Sequence, residues 1–241
     1  PFKQAPTLLA KLATRYAGSI WGRGDVAMMY EYWWKTRQIV LWRIAPDQSG
    51  VAPEQLFSGS EEDRYNDPGT PVSVRDEAGR DRLLFTPDGK SVFLIGAGAS
   101  PEGDRPFVDR WDLTKKAKTR LFRSEAPYYE SISAVLDNNG KHLLTSRESP
   151  TEPANYYSRK LAADDQKAVL SALTDFKHPT PQLKDVKKEQ IRYKRKDGVE
   201  LTGTLYLPPN YDPKRDGSLP MLLWAYPTEF KSASAASQVT D

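Results

Sequence analysis

Apolar residues in the first 176 positions are grouped in short runs that directly follow tight turns. Turns rich in Gly, Asp and Asn stand at 22–25, 87–90 and 138–141. The runs after these turns lie at 26–30, 91–95 and 142–145. Short apolar runs joined by Gly-Asp or Asn-Gly turns are typical of antiparallel hairpins. The pattern therefore predicts antiparallel strands and very little helix over residues 15–176.

The same order of features occurs three times. Each turn and its strand are followed by a second run that contains an aromatic residue, at 40–44, 108–113 and 155–158. Each unit then ends in a short apolar segment, at 55–57, 120–122 and 173–176. A unit of about 50 residues with about four strands has the size of a propeller blade, and fewer than four blades cannot close a ring. Residues 1–176 are therefore interpreted as the C-terminal blades of a partial β-propeller, in a mainly β chain. A set of unrelated hairpins is the alternative.

Polar segments rich in Pro separate these units from each other and from the C-terminal part of the chain. Residues 60–71 are charged and rich in Pro and Gly, which predicts a loop. Residues 177–186 carry prolines and few apolar groups, which predicts a stiff linker and a domain boundary.

The pattern changes in residues 187–241. Residues 189–195 and 199–207 alternate around Asp197-Gly198, which predicts a hairpin of two half-buried strands. The continuous apolar run 221–226 predicts a strand buried on both faces, and 233–238 is compatible with the start of a helix.

Composition excludes several classes of protein. The 241 residues carry a formal net charge of +3, too balanced to indicate nucleic acid or an anionic membrane as the main partner. No apolar run approaches the ~18 residues of a membrane span. The absence of cysteine excludes a disulfide framework, a thiolate metal site and a cysteine nucleophile. It does not fix the compartment, where a periplasmic or secreted location is favoured over the cytoplasm. Because the chain lacks an initiator Met and a signal peptide, it is interpreted as a fragment of a longer precursor.

The candidate motifs for chemistry are weak. Residues 96–101 suggest a dinucleotide loop but lack the third glycine, so a turn or close packing is the better interpretation. His142 and His178 lie away from any GxSxG nucleophile motif, which is absent, so neither is assigned as a catalytic base. With two histidines and no cysteine, a metal site is not expected, and neither is a cofactor.

Two further features have an ordinary structural interpretation. The basic run 184–196 is interleaved with Asp185 and Glu189, which favours a solvated strand face over nucleic-acid binding. The pair Trp33-Trp34 is expected to pack between blades, although it could also form a ligand cage.

Four short motifs are spread over nearly the whole chain: Glu-Asp-Arg-Tyr at 62–65, Asp-Gly-Val-Glu-Leu at 197–201, Leu-Tyr-Leu-Pro-Pro at 205–209 and Ala-Tyr-Pro-Thr-Glu-Phe at 225–230. The second and third resemble the prolyl oligopeptidase family of serine peptidases. The first and fourth resemble, more specifically, its glutamyl endopeptidase branch. The resemblance implies a propeller that caps an α/β-hydrolase domain, with residues 187–241 forming the first part of that domain.

The resemblance also implies a function and one site residue. It implies a peptidase acting on peptides, with cleavage after Glu; an aminopeptidase or acylaminoacyl peptidase of the same family and a non-catalytic peptide-binding module are the alternatives. Tyr226 stands where the family has a tyrosine that donates its hydroxyl to the oxyanion. The Ser, Asp and His of the triad cannot be assigned to any residue here, so the chain alone is expected to be inactive and, as an open blade array, to self-associate. The carboxylate of an acidic substrate calls for an arginine, and the sequence does not choose among Arg64, Arg75, Arg105, Arg147 and Arg159.

Overall fold

Three four-stranded antiparallel sheets follow one another along the chain. The structure is a computed structural model that describes residues 3, 5–48, 50–162 and 167–239. The first sheet contains, in order, β1 (Arg15–Arg23), β2 (Val26–Trp33), β3 (Gln38–Ile44) and β4 (Glu54–Ser60). Each strand pairs with the next, as in a propeller blade.

The second sheet has an inserted hairpin. After a 3₁₀ turn at Arg64–Asn66, its strands are β5 (Thr70–Pro71), then the small hairpin β6 (Ser73–Arg75) and β7 (Asp81–Leu83), then β8 (Ser91–Gly96), β9 (Phe107–Asp112) and β10 (Ala117–Arg123). The sheet order is β10-β9-β8-β5, and among the described strands β6 pairs with β7 alone. The sequence pattern predicts residues 60–71 as a loop throughout. That prediction is wrong at β5, which pairs with Leu94 and Ile95 of β8.

The third sheet contains β11 (Tyr129–Val135), β12 (His142–Glu148), β13 (Asn155–Lys160) and β14 (Val169–Ala172), again in sequential order. The four-stranded antiparallel sheets predicted over 15–176 are therefore confirmed, with the 3₁₀ turn as the only helical element in the described part of that range. The short apolar segment at 173–176, which ends the third unit, lies just after β14 rather than in it.

The middle sheet is buried on both faces, which is the packing expected of consecutive blades. Successive residues of a strand point to opposite faces. Along β8, Val92 packs with Met28 of the first sheet, whereas the next residue, Phe93, packs with Leu143 of the third sheet. All four side chains are fully buried. Because both faces of β8 are buried, its sequence is a continuous run of apolar residues rather than an alternation of apolar and polar ones.

The turn before β12 is set by the contact between the second and third sheets. Gly140 has φ +69°, a conformation that favours glycine. A Cβ at this position would lie 2.4 Å from the buried ring of Phe93. The turn glycine is therefore required both by its backbone and by the neighbouring sheet.

The C-terminal region departs from its predicted burial. The hairpin β15 (Lys187–Lys194) and β16 (Glu200–Leu207) forms as predicted, but β15 is almost wholly exposed rather than half-buried. Two short helices follow, α1 (Pro213–Asp216) and α2 (Ala233–Ala236). Residues 221–226 do not form the predicted buried strand. They are irregular and exposed, because the two-stranded sheet β15–β16 is not flanked by further strands or helices that would cover such a strand.

Other expectations have mixed outcomes. Trp34 is 47% exposed, so the predicted packing between blades is wrong for it; its ring lies 6.2 Å from that of Trp33. Residues 177–186 are irregular apart from a 3₁₀ turn at Pro181–Leu183, and the domain boundary there stays a prediction. Over the described ranges, no helix combines the length and apolar character needed to cross a membrane, and no three His, Asp or Glu side chains are grouped to hold a metal ion.

Candidate functional site

One end of the three sheets is built from long loops, and we call it the loop end. It carries the segments 61–69, 97–106, 124–128 and 149–154, which enter or leave the sheets at the same side. Arg64 joins the first two of these loops through Nη2, which donates to both carboxylate oxygens of Asp104, at 2.8 and 3.1 Å. The tight turns at Gly24, Gly89 and Gly140 lie at the opposite end. Long irregular loops on a rigid scaffold are where binding groups usually lie.

The C-terminal region contacts this loop end. The backbone amide of Lys231 donates to Glu62 at 2.8 Å, and the side-chain amide of Gln238 donates to Asp63 at 2.7 Å. Further along the same end, Arg192 of β15 donates to the carbonyl of Pro101 at 2.6 Å. The bonds from Asn66 and then from Gln238 lower the pKa of Asp63. The segment that resembles a hydrolase domain therefore lies on the loop end of the sheets.

Two of the five candidate arginines are committed to internal bonds. Besides its pair with Asp104, Arg64 donates through Nη1 to the carbonyl of Val239 at 2.7 Å. Arg159 forms a bidentate pair with the buried Glu130, at 2.7 and 2.6 Å. Breaking a buried pair of this kind costs about 3–5 kcal/mol. These two guanidinium groups already hold carboxylates of this chain, which makes them weaker candidates for binding a substrate carboxylate.

Arg75 and Arg105 are placed differently. Arg75 lies on the small hairpin β6–β7, with a side chain 78% exposed and a long contact of 3.5 Å to Asp81. Arg105 lies on the loop end and is half-buried. In the described part of the chain, no hydrogen bond or ion pair is recorded for the Arg105 side chain, whose backbone amide donates to Gly98.

Arg147, the last of the five, is enclosed by aromatic rings. Its guanidinium carbon lies 4.0 Å from the ring centre of Tyr128 and 4.6 Å from that of Tyr157. Its Nε is buried and has no hydrogen-bond partner among the described residues. Its ion pair with Glu152 is loose, at 3.9 Å. Sequence reasoning had no signal for this enclosure, because Tyr128, Arg147 and Tyr157 come from separate elements.

A cleft of about 650 Å³ lies between the third sheet and the segment that leads into β15. Its lining includes Glu148 and Glu152, of which Glu152 is the ion-pair partner of Arg147, together with His178 and Tyr206. Nδ1 of His178 accepts from the backbone amide of Thr180 at 3.1 Å, so this histidine is part of a turn.

Tyr226, the one catalytic residue suggested by resemblance, is 80% exposed in the irregular stretch between α1 and α2. Within the described ranges, no hydrogen bond or ion pair links it to any of the five arginines. Its assignment as oxyanion donor stays a prediction.

One histidine and one serine do approach each other. Nε2 of His142 lies 2.8 Å from Oγ of Ser158, on the neighbouring strand. A triad also needs a carboxylate on the other ring nitrogen. None is recorded for His142 among the described residues, where Asp137 accepts only from its backbone amide. We interpret the pair as a cross-strand contact, in agreement with the sequence analysis.

The glycines at 96–98 serve close packing, as expected. A Cβ on Gly98, which has φ +64°, would lie 2.0 Å from the carbonyl oxygen of Arg105. The loop therefore folds tightly on itself at Gly98.

Comparison with known proteins gives a close match in sequence. No family model matches the chain. Two curated proteins, from Oryza sativa subsp. japonica and Arabidopsis thaliana, are each named "Probable glutamyl endopeptidase, chloroplastic" and are 44% and 42% identical over 98% of this chain. The resemblance to glutamyl endopeptidases is thereby confirmed along nearly the whole chain. The chain spans 26% of the length of each relative.

Similarity to solved structures is weaker. The apo AtxE2 isopeptidase gives a TM-score of 0.46 at 12% identity, covering 87% of this chain and 27% of that one. TolB from Acinetobacter baumannii gives 0.36 at 16%, covering 81% and 44%. Prolyl oligopeptidase B from Galerina marginata gives 0.25 at 11%, covering 78% and 38%. Scores below 0.5 decide neither fold nor function.

Proposed function

We propose that this chain is part of a serine peptidase of the prolyl oligopeptidase family that cleaves peptide bonds after glutamate. The observation that carries the proposal is the 44% identity, over 98% of the chain, to a protein named as a glutamyl endopeptidase. The relative positions of the two regions support it, because the hydrolase-like segment contacts the loop end through Lys231 and Gln238. By the full-length enzyme we mean the longer protein of which we propose that this chain is a part.

The chain contributes binding and positioning to this chemistry. In the full-length enzyme a serine attacks the scissile carbonyl, a histidine accepts its proton, and an aspartate orients the histidine. None of these is assigned to a residue of this chain. The sheets restrict access to small or unfolded peptides, and the Tyr226 hydroxyl donates to the oxyanion of the tetrahedral intermediate.

A fluorophosphonate probe, which labels activated serines, tests the proposal. We expect stoichiometric labelling of the full-length enzyme and none of this chain, which lacks a GxSxG serine. Mass-spectrometric mapping of cleaved peptides should place the cuts inside peptides and after Glu. Labelling of this chain alone would show that one of its own residues is the nucleophile. That result would contradict the proposal that the serine lies in another part of the full-length enzyme.

The alternatives give different products. An aminopeptidase or acylaminoacyl peptidase releases residues or blocked residues from the N-terminus. A non-catalytic binding module leaves the full-length protein unlabelled while it retains peptides.

We also propose a location outside the cytoplasm, periplasmic or secreted. The relatives are named chloroplastic. Fractionation of the source cells tests the proposal.

A further inference from the structure

We propose that Arg147 binds the carboxylate of the substrate glutamate that precedes the scissile bond. This inference rests on the proposed function and adds to it the residue that sets specificity. Arg147 lies near the end of β12, at the loop end of the sheets that the C-terminal region contacts.

The guanidinium is held in one orientation before any ligand arrives. It lies against the rings of Tyr128 and Tyr157, at 4.0 and 4.6 Å from their centres, and its side chain is only 18% exposed. Rings packed on a guanidinium leave its N–H groups, which lie in its plane, to point outward between them. Such an arrangement reduces the entropy lost when a carboxylate binds bidentately.

The donor capacity of Arg147 is not filled by the residues that the structure describes. Among these, its buried Nε has no hydrogen-bond partner, which is a costly state for a charged donor. Its Nη2 lies 3.5 Å from the Tyr157 hydroxyl and 3.9 Å from a carboxylate oxygen of Glu152. Strong N–H to carboxylate bonds measure about 2.7–2.9 Å. Both contacts are therefore too long to satisfy the guanidinium.

Glu152 indicates the kind of ligand that fits. Its carboxylate is the only one recorded beside Arg147 among the described residues, and its side chain is half exposed on the loop between β12 and β13. Glu152 also lines the cleft of about 650 Å³ beside the third sheet. A substrate glutamate that displaces Glu152 and approaches to the usual bonding distance would satisfy Nε and Nη2 together.

The other arginines do not offer the same site. Arg64 and Arg159 are already paired with the carboxylates of Asp104 and Glu130. Arg75 is exposed on a small hairpin. Arg105 lies at the loop end without a recorded side-chain partner in the described ranges, but no aromatic ring is recorded against it there, so it serves as the rival in the test.

The experiment compares two peptides that differ only by Glu or Gln before the scissile bond, cleaved by the full-length enzyme. Arg147→Met keeps an apolar stem between the rings and removes the charge. We expect the ratio of kcat/KM for the Glu peptide to that for the Gln peptide to fall about 10²-fold, with the Gln peptide changing less than about threefold. Arg147→Lys restores a point charge without the bidentate fork and should recover part of the ratio. Arg75→Met and Arg105→Met should leave the ratio unchanged.

A second variant keeps Arg147 and both rings, and its amide oxygen can still accept from the Tyr128 hydroxyl, as Glu152 does at 3.3 Å. Glu152→Gln removes the competing carboxylate from an exposed loop. It should lower KM for the Glu peptide about threefold and leave the Gln peptide unchanged, and a higher or unchanged KM for the Glu peptide would overturn the inference.

The outcomes separate this inference from the proposed function. If the wild-type enzyme cleaves both peptides equally, the proposed Glu specificity fails, and the inference with it. If the wild type prefers Glu and Arg147→Met keeps the preference, the inference alone fails. Equal losses on both peptides, together with a lower Tm, would make Arg147 a structural residue. Loss of the preference in Arg105→Met instead would assign the carboxylate to Arg105.

Discussion

The guanidinium of Arg64 donates to the backbone carbonyl of Val239 at 2.7 Å, joining a loop of the first half of the chain to its C-terminal region. The same guanidinium holds Asp104 on a second loop. One side chain therefore links both loops and the segment after α2. This explains how a region with little regular structure keeps a defined place on the sheets.

Gln238→Ala should loosen this link. The Gln238 side chain accepts from the backbone amide of Arg64 at 2.8 Å and donates to Asp63 at 2.7 Å. Leaving these partly buried partners unpaired costs about 1–3 kcal/mol. We expect faster hydrogen exchange at the Arg64 amide and faster proteolysis in residues 231–239. Ser234→Ala, at an exposed position on the preceding helix α2, is the control and should behave like the wild type.

Glu31→Gln should reduce stability in a pH-dependent way. Burial raises the pKa of Glu31, but hydrogen bonds from Thr14 and then from Trp42 outweigh it, so the net shift is downward. A carboxyl with a lowered folded pKa stabilises the fold above its unfolded pKa, near 4.3, and loses that contribution as pH falls through the folded pKa.

Urea unfolding at neutral and acidic pH measures this effect. At pH 7 we expect Glu31→Gln to lose about 1–3 kcal/mol, because an amide cannot accept all of these bonds. The difference in unfolding free energy between this variant and the wild type should become smaller below about pH 4. Glu77→Gln, on an exposed turn, should change stability little at either pH. A difference in unfolding free energy that grows on acidification would show that the pKa of Glu31 is not lowered in the folded state.

Gly140→Ala and Gly198→Ala form a matched pair at two turns with positive φ. A Cβ on Gly140 would lie 2.4 Å from Phe93, whereas a Cβ on Gly198 would meet nothing within 4 Å. Gly198→Ala should cost only the backbone strain, about 1 kcal/mol. Gly140→Ala adds overpacking of a buried ring, typically 1–3 kcal/mol more. Equal losses of stability in the two variants, measured by thermal unfolding, would contradict the prediction. They would show that the packing between the second and third sheets shifts at no cost to accept the added methyl group.

These turns also show what sequence can and cannot predict. Gly24, Gly89 and Gly140 stand at the start of strands, so local turn chemistry was enough to predict the sheets. The pairs that build the loop end are not local. Glu130 finds Arg159 only after β11 and β13 enter the same sheet. Nothing in the sequence around Arg147 distinguishes it from Arg159, because its rings come from other elements. Residues 221–226 were predicted wrongly because apolar content indicates burial only where neighbouring elements provide it.

Self-association of this chain is the expected consequence of that exposed segment. Leu222 and Trp224 are 94% and 81% exposed and lie in a continuous apolar stretch. Apolar patches of this kind drive association. We expect light scattering to show a mass that rises with concentration, and the double variant Leu222→Ser/Trp224→Ser to reduce the rise. Leu8→Ser, at an exposed leucine outside that stretch, should not. A monomer at every concentration would contradict the prediction.

Tyr226→Phe in the full-length enzyme tests the assignment of the oxyanion donor. The substitution keeps the ring and removes only the hydroxyl, which we propose bonds to the oxyanion of the tetrahedral intermediate. An interaction that is stronger in the transition state than in the ground state affects kcat rather than KM. We expect kcat to fall about 10²-fold, as for the loss of other oxyanion donors, with KM nearly unchanged. Tm should also change little, because no core packing depends on a side chain that is 80% exposed in this chain. Tyr193→Phe, on the exposed strand β15, is the control for removing a tyrosine hydroxyl and should keep full activity. A Tyr226→Phe enzyme with wild-type kcat would remove this residue from the catalytic site, whereas the match to glutamyl endopeptidases would stand on the identity along the rest of the chain.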